Sequence, residues 1–266
     1  NPTSVATAVY FRSDTDKTTV ITPRIRVGAP VADETRVDLV YTVDVWTSAS
    51  IDIRTSATKR VTEQRDEIDV SVEQGVSDAL SIGASYRYSI ENDYESHGGT
   101  LGGSFDFADN NANLALVTRI SIDEVWAAGD PTNKQPASSF GARLGFTQVI
   151  DRQMFGQVLY ELGQQDGYLS SPYRYVRVAN DVGTVPGTCA FPVTSCLPER
   201  NPGSRTRHAA ALIMRRALTD EISVGAGYRF YLDSWDLSSH TIDVDGAWVP
   251  SAPWLVSLGY RFYTQS

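Results

Sequence analysis

The sequence of 266 residues has no apolar run long enough to cross a membrane as a helix. A membrane-spanning helix needs about 20 predominantly apolar residues, whereas the longest uninterrupted apolar run extends only from Ala209 to Met214. Helices and closed barrels alone satisfy all their backbone hydrogen bonds in lipid. If this protein resides in a membrane, strands must therefore cross it.

Positive charge and histidine are also scarce. The chain has 23 Lys and Arg against 32 Asp and Glu, a formal net charge of −9. Nucleic-acid binding depends on a basic surface that neutralises phosphates, so we expect no nucleic-acid partner. Among the 3 histidines, His97 and His208 are isolated in the sequence, and we therefore predict no histidine metal site and no bound cofactor.

Cysteine is limited to Cys189 and Cys196, which lie close together in a segment rich in proline and glycine. The segment has no histidine to complete a zinc site. Close cysteines in such a segment favour a local disulfide formed in an oxidising compartment such as the periplasm; two unpaired thiols are the alternative. No signal peptide is visible, so for an exported protein we expect the numbering to begin after its cleavage.

Three segments that are present repeat one pattern of alternation. They are LSIGASYRYSI at 80–90, ISVGAGYRFY at 222–231 and WLVSLGYRFY at 254–263. Successive residues of a strand point to opposite faces, so apolar and aromatic side chains occupy one face, and serine, glycine and arginine occupy the other. Aromatic residues gathered towards one end of the apolar face are typical of the interface girdle of a transmembrane barrel.

The alternation extends through most of the chain and predicts an all-β protein, a transmembrane antiparallel up-and-down β-barrel of 12 to 14 strands. We assign residues 1–266 to one domain in the outer membrane of a Gram-negative bacterium, in contact with lipid and lipopolysaccharide. Short turns alternate with longer connections, and the longest, at about 165–204, is predicted to be an extracellular loop. A soluble β-sandwich is the alternative fold.

The predicted strands number about 13, whereas bacterial single-chain barrels have an even number. We expect either a closing strand after Ser266, which gives 14, or a true count of 12. The reversal before the sixth strand is predicted to extend from Asn92 to Gly99, because Gly98 and Gly99 are typical of turns.

Several segments resemble an uncharacterised family of proteobacterial outer-membrane barrels, a porin-like domain of unknown function. The resemblance rests on VDVWTSASIDIRTSAT at 43–58, SIENDYES at 89–96, YRFYLDSWDLSSHT at 228–241 and the final LGYRFYTQS. It covers most of the chain outside 165–204. Members commonly continue beyond the TQS segment, and their genes often lie near a lipoprotein, a thioredoxin-like protein and a flavin transferase. The resemblance therefore implies a lipoprotein or other outer-membrane assembly partner and extracytoplasmic redox work.

The polar face carries charges of both signs, and neighbouring strands tend to alternate in sign. Its candidate lumen-lining residues are Arg24, Arg26, Asp38, Asp44, Asp69, Glu73, Arg87, Arg119, Asp123, Arg143, Glu161, Arg229, Asp243, Asp245 and Arg261. Two interpretations stay open: cross-strand ion pairs that fill the lumen, and a lining that selects solutes by charge.

We predict no catalytic site. Ser239, His240 and Asp243 supply the residue types of a hydrolase, but adjacent residues of a strand face opposite sides, which is not the geometry of a triad. The expected function is a passive channel for small solutes or ions. A closed barrel that anchors or scaffolds an outer-membrane assembly, with a redox role by analogy, is the alternative.

Overall fold

The computed structural model describes residues 2–13, 18–48, 61–127, 130–172, 174–177 and 196–266. Every regular element in these ranges is a strand. Among the described residues there is no helix that could span a membrane. The strands are β1 (Ser4–Ser13), β2 (Thr19–Ala32), β3 (Thr35–Ser48), β4 (Val61–Ser77), β5 (Leu80–Ile90), β6 (Tyr94–Phe107), β7 (Ala112–Val125), β8 (Gln135–Asp151), β9 (Met154–Gly167), β10 (Tyr175–Arg177), β11 (Cys196–Pro198), β12 (Ser204–Ala217), β13 (Ile222–Asp233), β14 (Ser238–Ser251) and β15 (Trp254–Gln265).

Thirteen strands form one sheet, in the order β1 to β9 followed by β12 to β15. Each is antiparallel to the strand before it, as in an up-and-down meander. The remaining two, β10 and β11, pair with each other within the connection between β9 and β12. The count of the large sheet lies within the predicted range. Many strands have 14 residues, more than the 9–11 or so needed to cross a bilayer, so their ends extend beyond it.

The two ends of the sheet differ in their connections. At the short-turn end, β2–β3, β4–β5 and β8–β9 are joined by two residues each. The opposite end, which we call the long-loop end, carries the connections after β3, β7 and β9, including the β10–β11 hairpin. This segregation is the arrangement expected of an outer-membrane barrel, with short periplasmic turns and longer extracellular loops.

The sixth strand begins earlier than the sequence predicts. The turn after β5 is confined to residues 91–93, and Gly98 and Gly99 lie within β6. Both glycines pair with β5 in the strand register, Gly98 opposite Arg87 and Gly99 opposite Tyr86. The two glycines therefore belong to the strand and do not mark a turn.

The edges of the sheet are β1 and β15, which form no pair with each other in the described chain. Every residue of both strands is exposed. Because twelve successive antiparallel pairings separate them, the two edges run in the same direction. A single strand antiparallel to both would complete the hydrogen bonding of both edges.

Burial is inverted relative to a soluble protein. Large apolar side chains are exposed, including Leu101 at 64% and Ile120 at 59%, whereas Asp38, Asp44 and Asp123 are each only 7% exposed. The buried apolar residues of the described chain are only Val40, Ala112, Trp126 and Ala209. An exposed apolar band around a polar interior is the distribution of a transmembrane β-barrel, and the predicted fold class is confirmed.

Candidate functional site: the charged inner wall

The strand register places the fifteen predicted residues on one face of the sheet. Cross-strand partners share a face, and the pairs Asp69–Arg87, Arg143–Glu161 and Asp243–Arg261 each join two of them. The opposite face carries the exposed apolar side chains. We call the charged face the inner wall.

Some of the predicted charges form ion pairs. Arg26 Nε lies 3.0 Å from Asp38 Oδ1, and Arg261 Nε lies 2.6 Å from Asp243 Oδ1. Glu161 binds two arginines: its Oε1 accepts from Arg143 Nε at 2.7 Å and its Oε2 from Arg229 Nη2 at 2.6 Å. Arg229 reaches across β12 to make this contact. These bridges connect β8, β9 and β13 on the inner wall.

Other predicted residues have different surroundings. Arg24, Arg119, Asp69 and Glu73 make no ion pair within the described residues. The Nε atom of Arg87 lies 4.0 Å from Glu67, at the limit of an ion pair. For Asp123, the partners are serine hydroxyl groups, which donate to its carboxylate from Ser96 at 2.6 Å and Ser121 at 2.9 Å.

Several partners were missed by the sequence interpretation. Asp44 binds Arg65, Arg215 Nη2 lies 2.5 Å from Asp245 Oδ2, and Arg36 Nε lies 3.0 Å from Asp38 Oδ2. Arg215 belongs to β12, whose apolar run from Ala209 to Met214 conceals the alternation of faces. Because alternate residues of a strand share a face, counting along β12 in steps of two would have assigned the residues at its two ends to the inner wall.

The outer face is bounded at the long-loop end by a belt of tyrosine and histidine. All three histidines belong to it, and each places Nδ1 2.7 Å from a tyrosine hydroxyl oxygen on the preceding strand of the sheet. The pairs are Tyr86–His97, Tyr160–His208 and Tyr228–His240. Amphipathic rings favour the membrane–water interface, so this Tyr–His belt marks the membrane boundary.

Towards the short-turn end, the outer face carries phenylalanine instead. Phe107 stacks with Phe105 at 5.8 Å and with Phe146 at 6.3 Å between ring centroids. Two aromatic bands thus border the apolar zone, as in the aromatic girdles of membrane barrels. The sequence showed that aromatic residues share the lipid face, but only the register brings them together across strands.

The residue types of a hydrolase are separated by the sheet. Ser239 is opposite Tyr231 and Gln265 on the inner wall, where it is 5% exposed. His240 is on the outer face, bound to Tyr228. The two side chains lie on opposite faces of β14 and therefore cannot form a nucleophile–base pair.

Asp233 organises the long-loop end of β13, beyond the Tyr–His belt. Its Oδ2 accepts hydrogen bonds from Arg205 Nε at 3.0 Å and from the Tyr231 hydroxyl at 2.8 Å. Its Oδ1 accepts from the backbone amides of Trp235 at 2.9 Å and Leu237 at 3.3 Å. Burial raises the pKa of Asp233, but these hydrogen-bond donors have the larger combined effect and lower the pKa to about 2. One carboxylate thus fastens the β13–β14 turn to β12.

Glu91 lies beyond the Tyr–His belt in the β5–β6 turn. Partial burial raises the pKa of its carboxyl to about 7. The Arg65 guanidinium lowers this pKa, whereas the carboxylates of Asp93, Glu63 and Asp44 raise it. A group with this pKa changes its charge near neutral pH.

We expect the stability of the protein to fall as pH rises from about 4.5 to about 7, because folded Glu91 holds a proton that the unfolded chain has released. Glu91→Gln should remove this decline and raise the unfolding free energy at pH 8 by ~1–2 kcal/mol, allowing for partial solvent screening. Urea titrations at pH 5 and pH 8 measure the effect. Glu221→Gln, in an exposed turn at the short-turn end, is the control and should preserve the decline; a decline that persists in Glu91→Gln contradicts the assignment.

The predicted disulfide lies outside the described residues. Cys189 is not among them, and of Cys196 only the backbone is described, at the start of β11. The Cys189–Cys196 bond stays a prediction.

Comparison with solved structures shows the same fold in outer-membrane receptors. The siderophore receptor PirA from Acinetobacter baumannii is similar over 97% of this chain and 43% of its own, with a TM-score of 0.56 at 11% identity. A ferric enterobactin receptor variant (PfeA) from Pseudomonas aeruginosa matches over 97% and 44%, with a TM-score of 0.55 at 10% identity. The ferric-catecholate import receptor Fiu from E. coli K12 matches over 98% and 55%, with a TM-score of 0.51 at 10% identity. The chain therefore spans about half the length of these structures.

The barrel fold and these neighbours place the protein in the bacterial outer membrane, as predicted. No curated protein matches the sequence. One family model matches residues 56–139 and 131–266, which together cover most of the chain. The chain belongs to this family, the proteins of unknown function designated DUF3570.

Proposed function

We propose that the protein is a passive channel for small polar solutes or ions. The observation that carries this proposal is the exposure of charged side chains on the inner wall. The side chain of Arg143 is 58% exposed, and that of Arg26 is 51% exposed, although both lie on the face that bears the buried carboxylates. A lumen filled by side chains would bury these guanidinium groups. Their exposure therefore favours a water-filled lumen, which also avoids the cost of removing charges from water.

Small residues on the inner wall support the same proposal. Gly102, Gly141, Gly145 and Ala211 occupy inward positions on β6, β8 and β12. Gly141 lies beside Arg119 and Ala211 beside Arg229, so these two residues leave space next to long charged side chains. Polar groups lining a space of this kind can replace the hydration of a passing solute.

Planar-bilayer recording of the protein, extracted folded from the outer membrane of a Gram-negative host, tests the proposal. We expect steady conductance that rises with salt concentration. Ala211→Trp introduces a bulky ring on the inner wall and should lower the conductance, whereas Ala210→Trp, the neighbouring outward position, should leave it unchanged. A heat-modifiable, folded protein without conductance, or equal effects of the two variants, would contradict a channel.

A scaffold is the second candidate function, and the connection between β9 and β12 favours it. This connection carries the β10–β11 hairpin and is tied at its base, where the Ser170 hydroxyl accepts from the Asn201 amide at 2.7 Å. This connection then provides a contact surface for a lipoprotein or another outer-membrane partner. The family context of redox proteins is compatible with this role, and neither candidate function needs catalysis by the barrel. Co-purification of a defined partner that is lost when residues 174–200 are shortened would support a scaffold.

The ligands named for the similar receptors are not assigned to this chain. At 10–11% identity the likeness supports the fold alone. Lipid and lipopolysaccharide are the proposed neighbours of the outer face, because the Tyr–His belt lies at its long-loop boundary.

A further inference from the structure

One row of the inner wall has an arginine at each side and glycines between them. The register aligns Arg119 of β7 with Gly141 of β8, Gly163 of β9 and Arg207 of β12. Neighbouring strands lie about 4.8 Å apart, so the two arginine Cα atoms are roughly 14 Å apart, a distance that two arginine side chains can largely bridge. We call this strip the Arg–Gly–Gly–Arg row.

Within the described chain neither arginine of the row forms an ion pair; Arg207 is opposite Asp233 in the register, but that carboxylate binds Arg205. The side chains of Arg119 and Arg207 make no hydrogen bond or ion pair within the part of the chain that the structure describes. Arg207 lies over the row, since a Cβ added at Gly163 would be 3.5 Å from its Nε atom. A Cβ at Gly141 would meet nothing closer than the Leu162 carbonyl oxygen at 3.8 Å, so the centre of the row is open.

Neighbouring residues add to the positive charge of this part of the wall. Arg143 and Arg229 share the single carboxylate of Glu161, and these three residues line a cavity of about 360 Å³. Two adjoining cavities around Glu161 are lined by one arginine of the row each. These four guanidinium groups and the Glu161 carboxylate together carry a net charge of +3. Asp243, which also lines the first cavity, is paired with Arg261.

We propose that the Arg–Gly–Gly–Arg row binds a multivalent oxyanion, a small solute that carries phosphate groups or several carboxylates. Guanidinium groups recognise such oxygens through planar, paired hydrogen bonds, and low-dielectric walls strengthen the attraction. Two arginines on opposite sides of an open strip favour a ligand with at least two anionic groups over a single halide ion. The inference deepens the proposed channel function and depends on it only for the role of the site in permeation.

Isothermal titration calorimetry with pyrophosphate, on the folded protein in detergent at low ionic strength, tests the site. We expect binding that Arg119→Gln combined with Arg207→Gln weakens at least tenfold. Neither substitution breaks an ion pair between described residues, so the double variant should fold normally and stay heat-modifiable. Gly141→Val fills the centre of the row without changing charge and should weaken binding as well. Arg24→Gln removes another inner-wall arginine without an ion pair, away from the row on β2, and should leave the affinity unchanged.

The result that would overturn the proposal is absence of pyrophosphate binding, equal weakening by Arg24→Gln, or full displacement by chloride at the same ionic strength. The titration requires no open pore, so its outcome is independent of conductance. Pyrophosphate binding by a silent barrel would retain the site and contradict the channel. Conductance without pyrophosphate binding would retain the channel and contradict the site.

Discussion

Leu101→Arg should destabilise the folded barrel by ~2–4 kcal/mol, the cost of a charge facing lipid near the bilayer midplane. Leu101 is central in β6, and its side chain is on the outer face with 64% exposure. The guanidinium there would have no water and no carboxylate partner at its depth. Equilibrium unfolding in urea, with the protein folded into lipid vesicles, measures the change.

Thr100→Arg is the matched control for this substitution. Thr100 is the adjacent residue of the same strand, but it lies on the inner wall opposite Ser85 and Arg119. An arginine there stays on the polar inner wall, and a like charge opposite Arg119 is only modestly destabilising, so we expect a change within ~1 kcal/mol. Equal losses for the two variants would show that the assigned faces are wrong.

Asp233→Asn should cost ~2 kcal/mol of unfolding free energy, because a buried carboxylate with several donors is replaced by a neutral amide. The side chain of Asp233 is fully buried. The neutral amide cannot compensate the charge of Arg205. One carboxylate oxygen is replaced by an NH₂ group, which cannot accept the hydrogen bonds that this oxygen accepted. Asp236→Asn makes the same chemical change at an exposed residue of the same turn and should have little effect.

The pH dependence provides a second measurement of the Asp233 interaction. Because the folded pKa is lowered to about 2, the unfolded chain takes up a proton first as pH falls. The stabilisation is therefore complete above about pH 4 and is lost between about pH 4 and pH 2. Asp233→Asn should lack this loss, and an unchanged acid limb in the variant would contradict the assigned role.

Much of the fold was predictable from local alternation. A strand exposes its faces with a period of two, so segments such as Leu80 to Ile90 specify which side chains meet lipid without knowledge of the neighbouring strands. The same reasoning assigned the charged inner wall, including Arg143 and Glu161. It misjudged Gly98 and Gly99, because glycine occurs both in turns and within strands, and the sequence alone does not distinguish the two.

The partners of each charge depend on register, which local sequence does not contain. Arg229 binds Glu161 across an intervening strand, and Asp245 binds Arg215 in the same way, whereas the alternation of sign between neighbouring strands suggested ion pairs between adjacent strands. The Tyr–His belt has the same origin, since each pair joins two strands by a diagonal contact.

The sequence by itself thus determined the class of fold, the membrane it occupies and the face on which each strand residue lies, because these follow from the two-residue period and the distribution of apolar side chains. Tertiary structure alone decided which charges are neutralised and which stay unpaired. The alignment of Arg119 and Arg207 across two glycines arises from residues 88 positions apart in the chain, brought into one row by the cumulative register of three strand pairings.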